Sequence, residues 1–401
     1  NTTGTDNTAV GAFSLDANTT GVTNTAVGYA ALTSSTTASH NVALGYEALA
    51  ANTTGDLNTA IGYQALDANT VGDRAVAVGV GALGSQNPDS NTDTYNIGVG
   101  YSAGNAITTG VKNILIGGLA GDAITTAEGN VALGHSAMSS NTVGSYSLAI
   151  GFRALNNQNP SSATDMYNTA VGTDAGLAVT TGTANTFIGG LAGDATTTGS
   201  NNTAVGKHTL GSNTTGASNT AVGSGALFST TTGVRNTAIG SFSLDANTTS
   251  NDNTAVGSGS LGVNTTGANN TAVGSFSLDA NTTGDSNVAL GKSALGANTT
   301  ADNNVAVGTE TLLVNTTGTS NVAVGSFALD ANTTASSNTA IGHGSLTANT
   351  TGGDNTAVGR SALDANTTAS FNTAIGRNAL TDNTTGASNT AVGYGSQANT
   401  T

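Results

Sequence analysis

The chain repeats itself about every 17 residues, and this period constrains its fold more than any other feature. A stretch of the type NTAVG recurs 23 times, first at Asn7 and last at Asn389. The spacing between copies is constant except for two longer steps, which follow Ala75 and Ser147. A period of this length is typical of solenoids, in which each repeat packs against its neighbours and the chain grows by adding coils.

The repeats share one residue pattern. We number the positions of a repeat as places 1 to 17, starting from the asparagine of each NTAVG-like stretch. Place 5 is Gly and place 4 is Val, Ile or Leu in all 23 copies, place 8 is always Ala, Ser or Thr, and place 9 is usually Leu. Places 12 to 15 are most often Asn-Thr-Thr-Gly. Because glycine interrupts most coils twice, a helix is disfavoured. We expect two short strands per coil, at places 1 to 4 and 7 to 11, joined by turns.

Stacked coils place identical residues over one another, about 4.8 Å apart. Place 1 then forms an asparagine ladder, broken only at Ala75 and Ser147, and place 9 forms a leucine ladder. The aliphatic residues at place 4 must be covered by the coil interior or by a partner chain. The sequence therefore predicts an all-β fold, a parallel β-solenoid or β-roll of about 23 coils that runs as one continuous solenoid over residues 1–401.

The middle of the chain differs from its flanks. Residues 75–146 and 147–218 are two copies of a 72-residue block of four coils, whereas residues 1–74 and 219–401 contain regular coils. Each block opens with a 21-residue coil that carries an extra loop. We interpret the loops either as tolerated surface bulges or as paired contact loops centred on Asn87 and Pro88 and on Asn159 and Pro160.

Composition and charge restrict the partners. The net charge of -15 argues against nucleic acid and anionic membranes, and no apolar run is long enough to span a membrane. The chain has no Cys, which excludes disulfides and thiolate chemistry and suits an extracellular or cell-surface protein. No signal peptide is recognisable, and neither end has a polar cap. We therefore expect a fragment of a longer chain or a unit that stacks head to tail.

The strand motif carries a resemblance to a known family. SLAIG at residues 147–151, with NVALG, NTAIG and NTAVG elsewhere, resembles the S-x-A-I-G strand of trimeric autotransporter adhesin heads. The NTAVG and NTTG repeats are also similar to repeats of tail-fibre-like proteins. The adhesin resemblance implies a left-handed parallel β-roll, usually trimeric, that binds host or matrix surfaces.

Several stretches look like sites of chemistry. Gly79–Gly84 and Gly257–Gly262 match GxGxxG, the fingerprint of dinucleotide-binding sites. The match arises from the residue pattern of the repeat, and no helix pattern follows either stretch. The four His do not cluster. Asp89 and Asp93 share one long loop and suit either a weakly held cation or a solvated loop. We therefore expect no catalytic, cofactor-binding or metal-binding residues.

The Asn-Thr-Thr turns match the N-x-T acceptor for N-glycosylation. Ordinary turn chemistry is the alternative interpretation. The candidate acceptors are Asn18, Asn52, Asn213, Asn247, Asn264 and Asn281.

These observations predict a non-enzymatic extracellular fibre or adhesin segment. It would act by multivalent attachment, with itself (as a homotrimer or a head-to-tail filament) and an unidentified surface or matrix ligand as partners. Two alternatives stay open: an ice-binding solenoid that uses the paired Thr of places 13 and 14, and the shaft of a phage tail fibre.

Overall fold

The computed structural model describes residues 1–397 and forms two compact units, Asn1–Asn202 and a second that begins at Thr203. Each unit is a parallel β-solenoid in which every coil contributes one three-residue strand at places 2 to 4. Strands of consecutive coils within a unit pair in register, as Thr8 with Thr25 and Val222 with Ile239. No helix occurs between residues 1 and 397. The β-solenoid prediction is confirmed.

The first unit carries thirteen strands. All except β9 and β11 follow one another in a parallel ladder, and those two pair with each other beside the second long coil. The strands are β1 Thr8–Val10, β2 Thr25–Val27, β3 Val42–Leu44, β4 Thr59–Ile61, β5 Val76–Val78, β6 Ile97–Val99, β7 Ile114–Ile116, β8 Val131–Leu133, β9 Gly144–Ser145, β10 Leu148–Ile150, β11 Thr164–Asp165, β12 Thr169–Val171 and β13 Thr186–Ile188.

The second unit carries twelve strands in a parallel ladder that follows chain order. They are β14 Thr203–Val205, β15 Thr220–Val222, β16 Thr237–Ile239, β17 Thr254–Val256, β18 Thr271–Val273, β19 Val288–Leu290, β20 Val305–Val307, β21 Val322–Val324, β22 Thr339–Ile341, β23 Thr356–Val358, β24 Thr373–Ile375 and β25 Thr390–Val392.

The core of a coil consists of places 1, 3, 8, 9 and 12. In the coil that starts at Asn236, these are Asn236, Ala238, Ser243, Leu244 and Asn247, all fully buried. Since side chains alternate along a strand, the inward Ala at place 3 sends places 2 and 4 outward. The interior is therefore filled by leucine methyl groups, small residues and asparagine amides.

The second predicted strand, at places 7 to 11, is wrong. Places 7 and 9 have left-handed backbone conformations, as in Phe242 and Leu244, both with φ 52. A strand would send the adjacent places 8 and 9 to opposite faces, yet Ser243 and Leu244 are both buried. The left-handed residues turn both side chains inward. Leu244 N–H still donates to the carbonyl of Ser260 in the next coil, at 3.0 Å.

Glycine at place 5 allows neighbouring coils to approach closely. Gly240 has φ 138, and a Cβ built on it would lie 2.5 Å from the carbonyl oxygen of Gly257 on the next coil. Any side chain here would collide with that backbone and would need a conformation that L-residues rarely adopt. This contact explains why place 5 is Gly in all 23 copies.

Two asparagine ladders hold successive coils together. At place 1, the backbone N–H of Asn287 donates to Oδ1 of Asn270 at 2.9 Å, and its side-chain amide donates to the same oxygen at 3.2 Å and to the Ala301 carbonyl at 2.8 Å. At place 12, the side-chain amide of Asn281 donates to Oδ1 of Asn264 at 2.8 Å. The place 1 ladder was predicted, whereas the place 12 ladder was not.

In the two long coils, a glutamine at place 12 compensates for the missing asparagine at place 1. These coils have Ala75 or Ser147 at place 1 and a glutamine, Gln86 or Gln158, at place 12. Oε1 of Gln86 accepts a hydrogen bond from the side-chain amide of Asn96 at 2.8 Å, and Oε1 of Gln158 accepts the equivalent bond from Asn168 at 3.0 Å. The longer side chain thus supplies the acceptor that place 1 lacks.

In each duplicated block, one coil has a large core side chain at place 3 and none at place 9. Where place 9 is Gly121 or Gly193, a larger side chain stands at place 3, namely Leu115 or Phe187. Carbon atoms of those two side chains lie 2.8 Å and 2.4 Å from the Cβ positions that the glycines leave empty. The interior therefore stays filled although the leucine of place 9 is missing.

Candidate functional site

The strand face of each unit is uncharged and partly exposed to solvent. Its two columns are place 2, which is Thr, Val, Ile or Leu in every copy, and place 4, which is Val, Ile or Leu. Within the second unit, Ile239 and Ile375 are 42% and 41% exposed. The sequence left two possibilities for the side chains of place 4, burial in the coil interior or contact with a partner chain. Their exposure excludes burial in the coil interior.

The long loops are anchored by the residues expected to make contacts. Pro88 and Pro160 are buried, and their rings lie over Gly72 and Gly144. Oδ1 of Asn87 accepts a hydrogen bond from the Thr70 hydroxyl at 2.6 Å. Oδ1 of Asn159 accepts the matching bond from Thr142 at 2.7 Å. Besides Asn87 and Asn159, which stay exposed, the exposed surface of each loop comprises residues 89–91 and 161–163.

Charged and aromatic side chains surround these loops. Asp93 pairs with Arg74 and accepts a hydrogen bond from the Tyr95 hydroxyl at 3.1 Å. This carboxylate is thus already engaged, which disfavours the cation site considered for Asp89 and Asp93. Beside the second loop, the Tyr146 ring stacks on Tyr167 with centroids 5.8 Å apart. The Tyr146 hydroxyl donates to Glu128, and this bond raises the pKa of Tyr146 to about 12.

The candidate glycosylation asparagines lie in the core. Asn18, Asn52, Asn213, Asn247, Asn264 and Asn281 are at most 1% exposed, and all occupy place 12. The Asn264 amide donates to the carbonyl of Gly267 within its own turn at 2.9 Å. A glycan attached to such a side chain would have no space inside the coil. The geometry therefore favours the alternative interpretation, in which these asparagines shape the turns.

An aromatic and acidic groove crosses the second unit at places 7 and 10. Place 7 alternates between Gly and Phe in four successive coils: Gly225, Phe242, Gly259 and Phe276. Each ring packs over the glycine of the preceding coil, and ring carbons of Phe276 lie 2.8 Å and 2.9 Å from the Cβ position of Gly259. Both rings remain about half exposed, Phe242 at 57% and Phe276 at 50%.

Two clefts open along this groove. A cleft of ≈ 260 Å³ is lined by Phe242 and Phe276, by Gly259 and Val263, and by Asp245, Gly262 and Asp279, which all occupy place 10. A second cleft of ≈ 360 Å³ shares Phe242 and Asp245 but also contains Lys207 and His208. We call them the acidic cleft and the basic cleft.

Burial raises the pKa of the place 10 carboxyls. Desolvation is the main cause at Asp245 and Asp279, and it outweighs backbone N–H groups that donate to the carboxylates and lower the pKa. The same cause raises the pKa of four further carboxyls at this place, those of Asp67, Asp122, Asp330 and Asp364. No two successive copies both carry Asp at place 10, which keeps the like charges apart.

The remaining sequence features are spread over separate coils and turns. Within residues 1–397, no three His, Cys, Asp or Glu side chains are arranged to hold a metal ion. His135, His208 and His343 each contact a Phe ring of a neighbouring coil. Gly79–Gly84 follows β5 and continues into a turn, not a helix. No membrane-spanning helix is found in the described part of the chain.

No family model matches the sequence, and a search of curated proteins finds no significantly similar chain. The class that the fold defines is a repeat protein built as a parallel β-solenoid. The resemblance of SLAIG to adhesin heads therefore has no family match behind it, and the function that it implies stays a prediction.

Proposed function

We propose that the chain is a structural segment of an extracellular fibre or adhesin that associates with other copies of itself along the strand face. A parallel β-solenoid is compatible with such a role. The observation that carries the proposal is the uncharged pair of columns at places 2 and 4, which are partly exposed to solvent, in a chain whose net charge is -15.

A second copy is the partner that this face fits best. Another copy presents the same columns with the same axial spacing, so side chains of the two molecules can stay in register along many coils. Burying the aliphatic column contributes roughly 25 cal/mol per Å² of apolar surface. The remaining faces carry the acidic residues, whose repulsion directs association to the uncharged face. The homotrimer implied by the adhesin resemblance would use this face, whereas a head-to-tail filament would leave it exposed.

Repetition would also support attachment to a surface. When many equivalent weak sites lie on one rigid scaffold, the first contact raises the effective concentration of the others. Such a segment needs no catalytic residue, since attachment depends only on the number and spacing of contacts.

The test replaces a pair of aliphatic side chains at place 4 by aspartate. Val222→Asp with Val256→Asp introduces charges two coils apart, which is the spacing that the chain itself uses for Asp245 and Asp279. We expect the native chain to form oligomers and the double variant to be a folded monomer. Analytical ultracentrifugation measures the assembly, and circular dichroism measures the fold.

The matched control is Ser224→Asp with Ser258→Asp. These exposed residues occupy place 6 of the same two coils, so the added charge is equal but lies off the strand face. We expect this variant to assemble like the native chain. A native chain that stays monomeric at all concentrations would contradict the proposal, as would a place 4 variant that assembles normally.

Ice binding is a second candidate, favoured by the strand face. Place 2 is Thr in five successive coils from Thr203 to Thr271, which gives a regular outward array. The Thr pair considered from the sequence is less suitable, because place 13 hydroxyls such as that of Thr282 donate to backbone carbonyls of the next coil, here Thr299 at 3.0 Å. Thermal hysteresis of the native chain, lost on Thr237→Leu, would favour ice binding over self-association.

A further inference from the structure

The acidic cleft is the strongest candidate for a ligand site outside the strand face. Its walls are the rings of Phe242 and Phe276, which stand two coils apart, at about 9.6 Å by the strand spacing. The Phe276 ring covers Gly259, and Gly262, which lies between Asp245 and Asp279 at place 10, adds no side chain to the floor. The opening is thus wide enough for a compact group of a few heavy atoms.

The cleft carries negative charge without a basic residue to balance it. Asp245 and Asp279 flank the floor, and none of the lining residues is Lys, Arg or His. Aromatic rings add negative potential at their faces, which attracts cations. Partial burial removes water from both carboxylates, so a cation inside the cleft is screened less than one on open surface.

The apolar content of the cleft restricts the kind of cation. Exposed Phe rings and the half-exposed side chain of Val263 offer surface to methyl groups but no oxygen ligands. A bare metal ion would gain little from them, and no three metal-ligating side chains converge within residues 1–397. A neutral sugar could use the carboxylates as hydrogen-bond acceptors, but it carries no positive charge to pair with them. Aromatic faces with nearby carboxylates suit ammonium groups that carry methyl substituents.

We propose that the acidic cleft binds a methylated ammonium group, such as a choline-type head group. The ammonium methyl groups contact Phe242, Phe276 and Val263, and the positive charge lies near Asp245 and Asp279. This proposal does not depend on self-association of the strand face. The basic cleft offers an internal comparison, because Lys207 and His208 replace one acidic side of the site.

The experiment titrates choline into the folded chain at fixed ionic strength and follows binding by calorimetry. We expect saturable binding, and much weaker binding of 3,3-dimethylbutan-1-ol, a neutral molecule of the same shape. Phe276→Ala should weaken choline binding about two- to fivefold, the usual effect of one exposed cation–π contact. Asp245→Asn combined with Asp279→Asn should weaken it by at least as much.

Asp364→Asn is the matched control. Asp364 also occupies place 10 and also has a raised pKa through burial, but its coil has Ser361 at place 7 instead of Phe. This variant should bind choline like the native chain, and circular dichroism should show that all variants are folded.

Three outcomes would overturn the proposal. They are the absence of saturable choline binding, equal binding of the neutral analogue, and equal weakening by Asp364→Asn and by the Asp245→Asn and Asp279→Asn pair. Binding of neutral oligosaccharides in place of choline would reassign the cleft to a different ligand.

Discussion

Left-handed residues set the shape of every regular coil. Places 7, 9 and 17 have positive φ even where they are not glycine, as in Ser361, Leu363 and Asp354. Each such residue costs of order 1–3 kcal/mol and persists only where its surroundings fix it. The buried leucine and the hydrogen bonds to adjacent coils supply that constraint. Place 7 is also Gly in several coils, among them Gly225 and Gly344, which is consistent with its backbone conformation.

Ser361 tests the requirement for a left-handed backbone at place 7. We expect Ser361→Val to lower the free energy of unfolding by about 1–2 kcal/mol, because β-branched residues fit this conformation poorly. Ser361→Gly should be neutral or stabilising. The control is Thr356→Val at place 2 of the same coil, where Val stands in other coils. Denaturant unfolding measures all three, and equal effects of the two valine substitutions would contradict this account.

The sequence predicts the place 1 ladder but does not determine whether the side chains of place 4 point into the coil or out of it. A Thr-Ala-Val strand alternates, so it can bury either its alanine or its outer pair. The alanine is the buried residue because leucine side chains such as Leu244 already occupy the narrow interior. Only a small residue fits at place 3, opposite these leucines. The buried ladder at Asn264 and Asn281 was missed because Asn-Thr-Thr-Gly is also a common surface turn.

At the scale of one coil, places 1 and 12 act as a pair. The hydroxyl of Ser147 donates to Oε1 of Gln158 at 3.2 Å, and the same oxygen accepts the amide of Asn168. Most regular coils have asparagine at both places. The sequence shows each substitution separately, but only the packed coil shows that the glutamine compensates for the missing asparagine.

A double-mutant cycle tests this compensation. Gln158→Asn should lose the bond to Asn168 and cost about 1 kcal/mol. Ser147→Asn alone should crowd the buried Gln158 and cost about 1–3 kcal/mol. The double variant restores the regular pair and should lose less stability than the sum of the two, as measured by denaturant unfolding.

The control combines Ser147→Asn with Gln64→Asn. Gln64 bonds Glu47 at the coil surface, at 2.9 Å, and has no contact with this pair. These two effects should add. If the Ser147 and Gln158 effects also add, the two places are not coupled.

At the scale of the whole molecule, acidic residues dominate. The place 10 carboxyls have pKa values raised by desolvation, whereas Arg235 lowers the pKa of Asp252. A folded-state pKa above the unfolded value means that the folded chain holds more protons. Stability from these groups is full below about pH 4, the unfolded value, and is lost as the pH rises through the folded values.

We therefore expect a higher thermal midpoint near pH 4 than at pH 7. Replacing Asp330 and Asp364 by Asn should raise the midpoint at pH 7 and reduce its dependence on pH. Asp354→Asn removes a charge from an exposed place of the same unit and should change neither quantity much. The ion pair of Arg235 with Asp252 has the opposite effect on the pH dependence of stability. A thermal midpoint that rises towards pH 7 would therefore show that the lowered pKa of Asp252 dominates.

The separation of the place 10 carboxylates has a consequence for inheritance. Near-identical repeats invite unequal genetic exchange, which removes or adds whole coils in frame. Loss of the single coil 253–269 would bring Asp245 directly against Asp279, at about 4.8 Å, and would also remove Gly259, over which Phe276 packs. Loss of the two coils 253–286 would instead set Asp245 beside Gly296, as Asp279 is now. In this region, lineages should therefore gain or lose length two coils at a time.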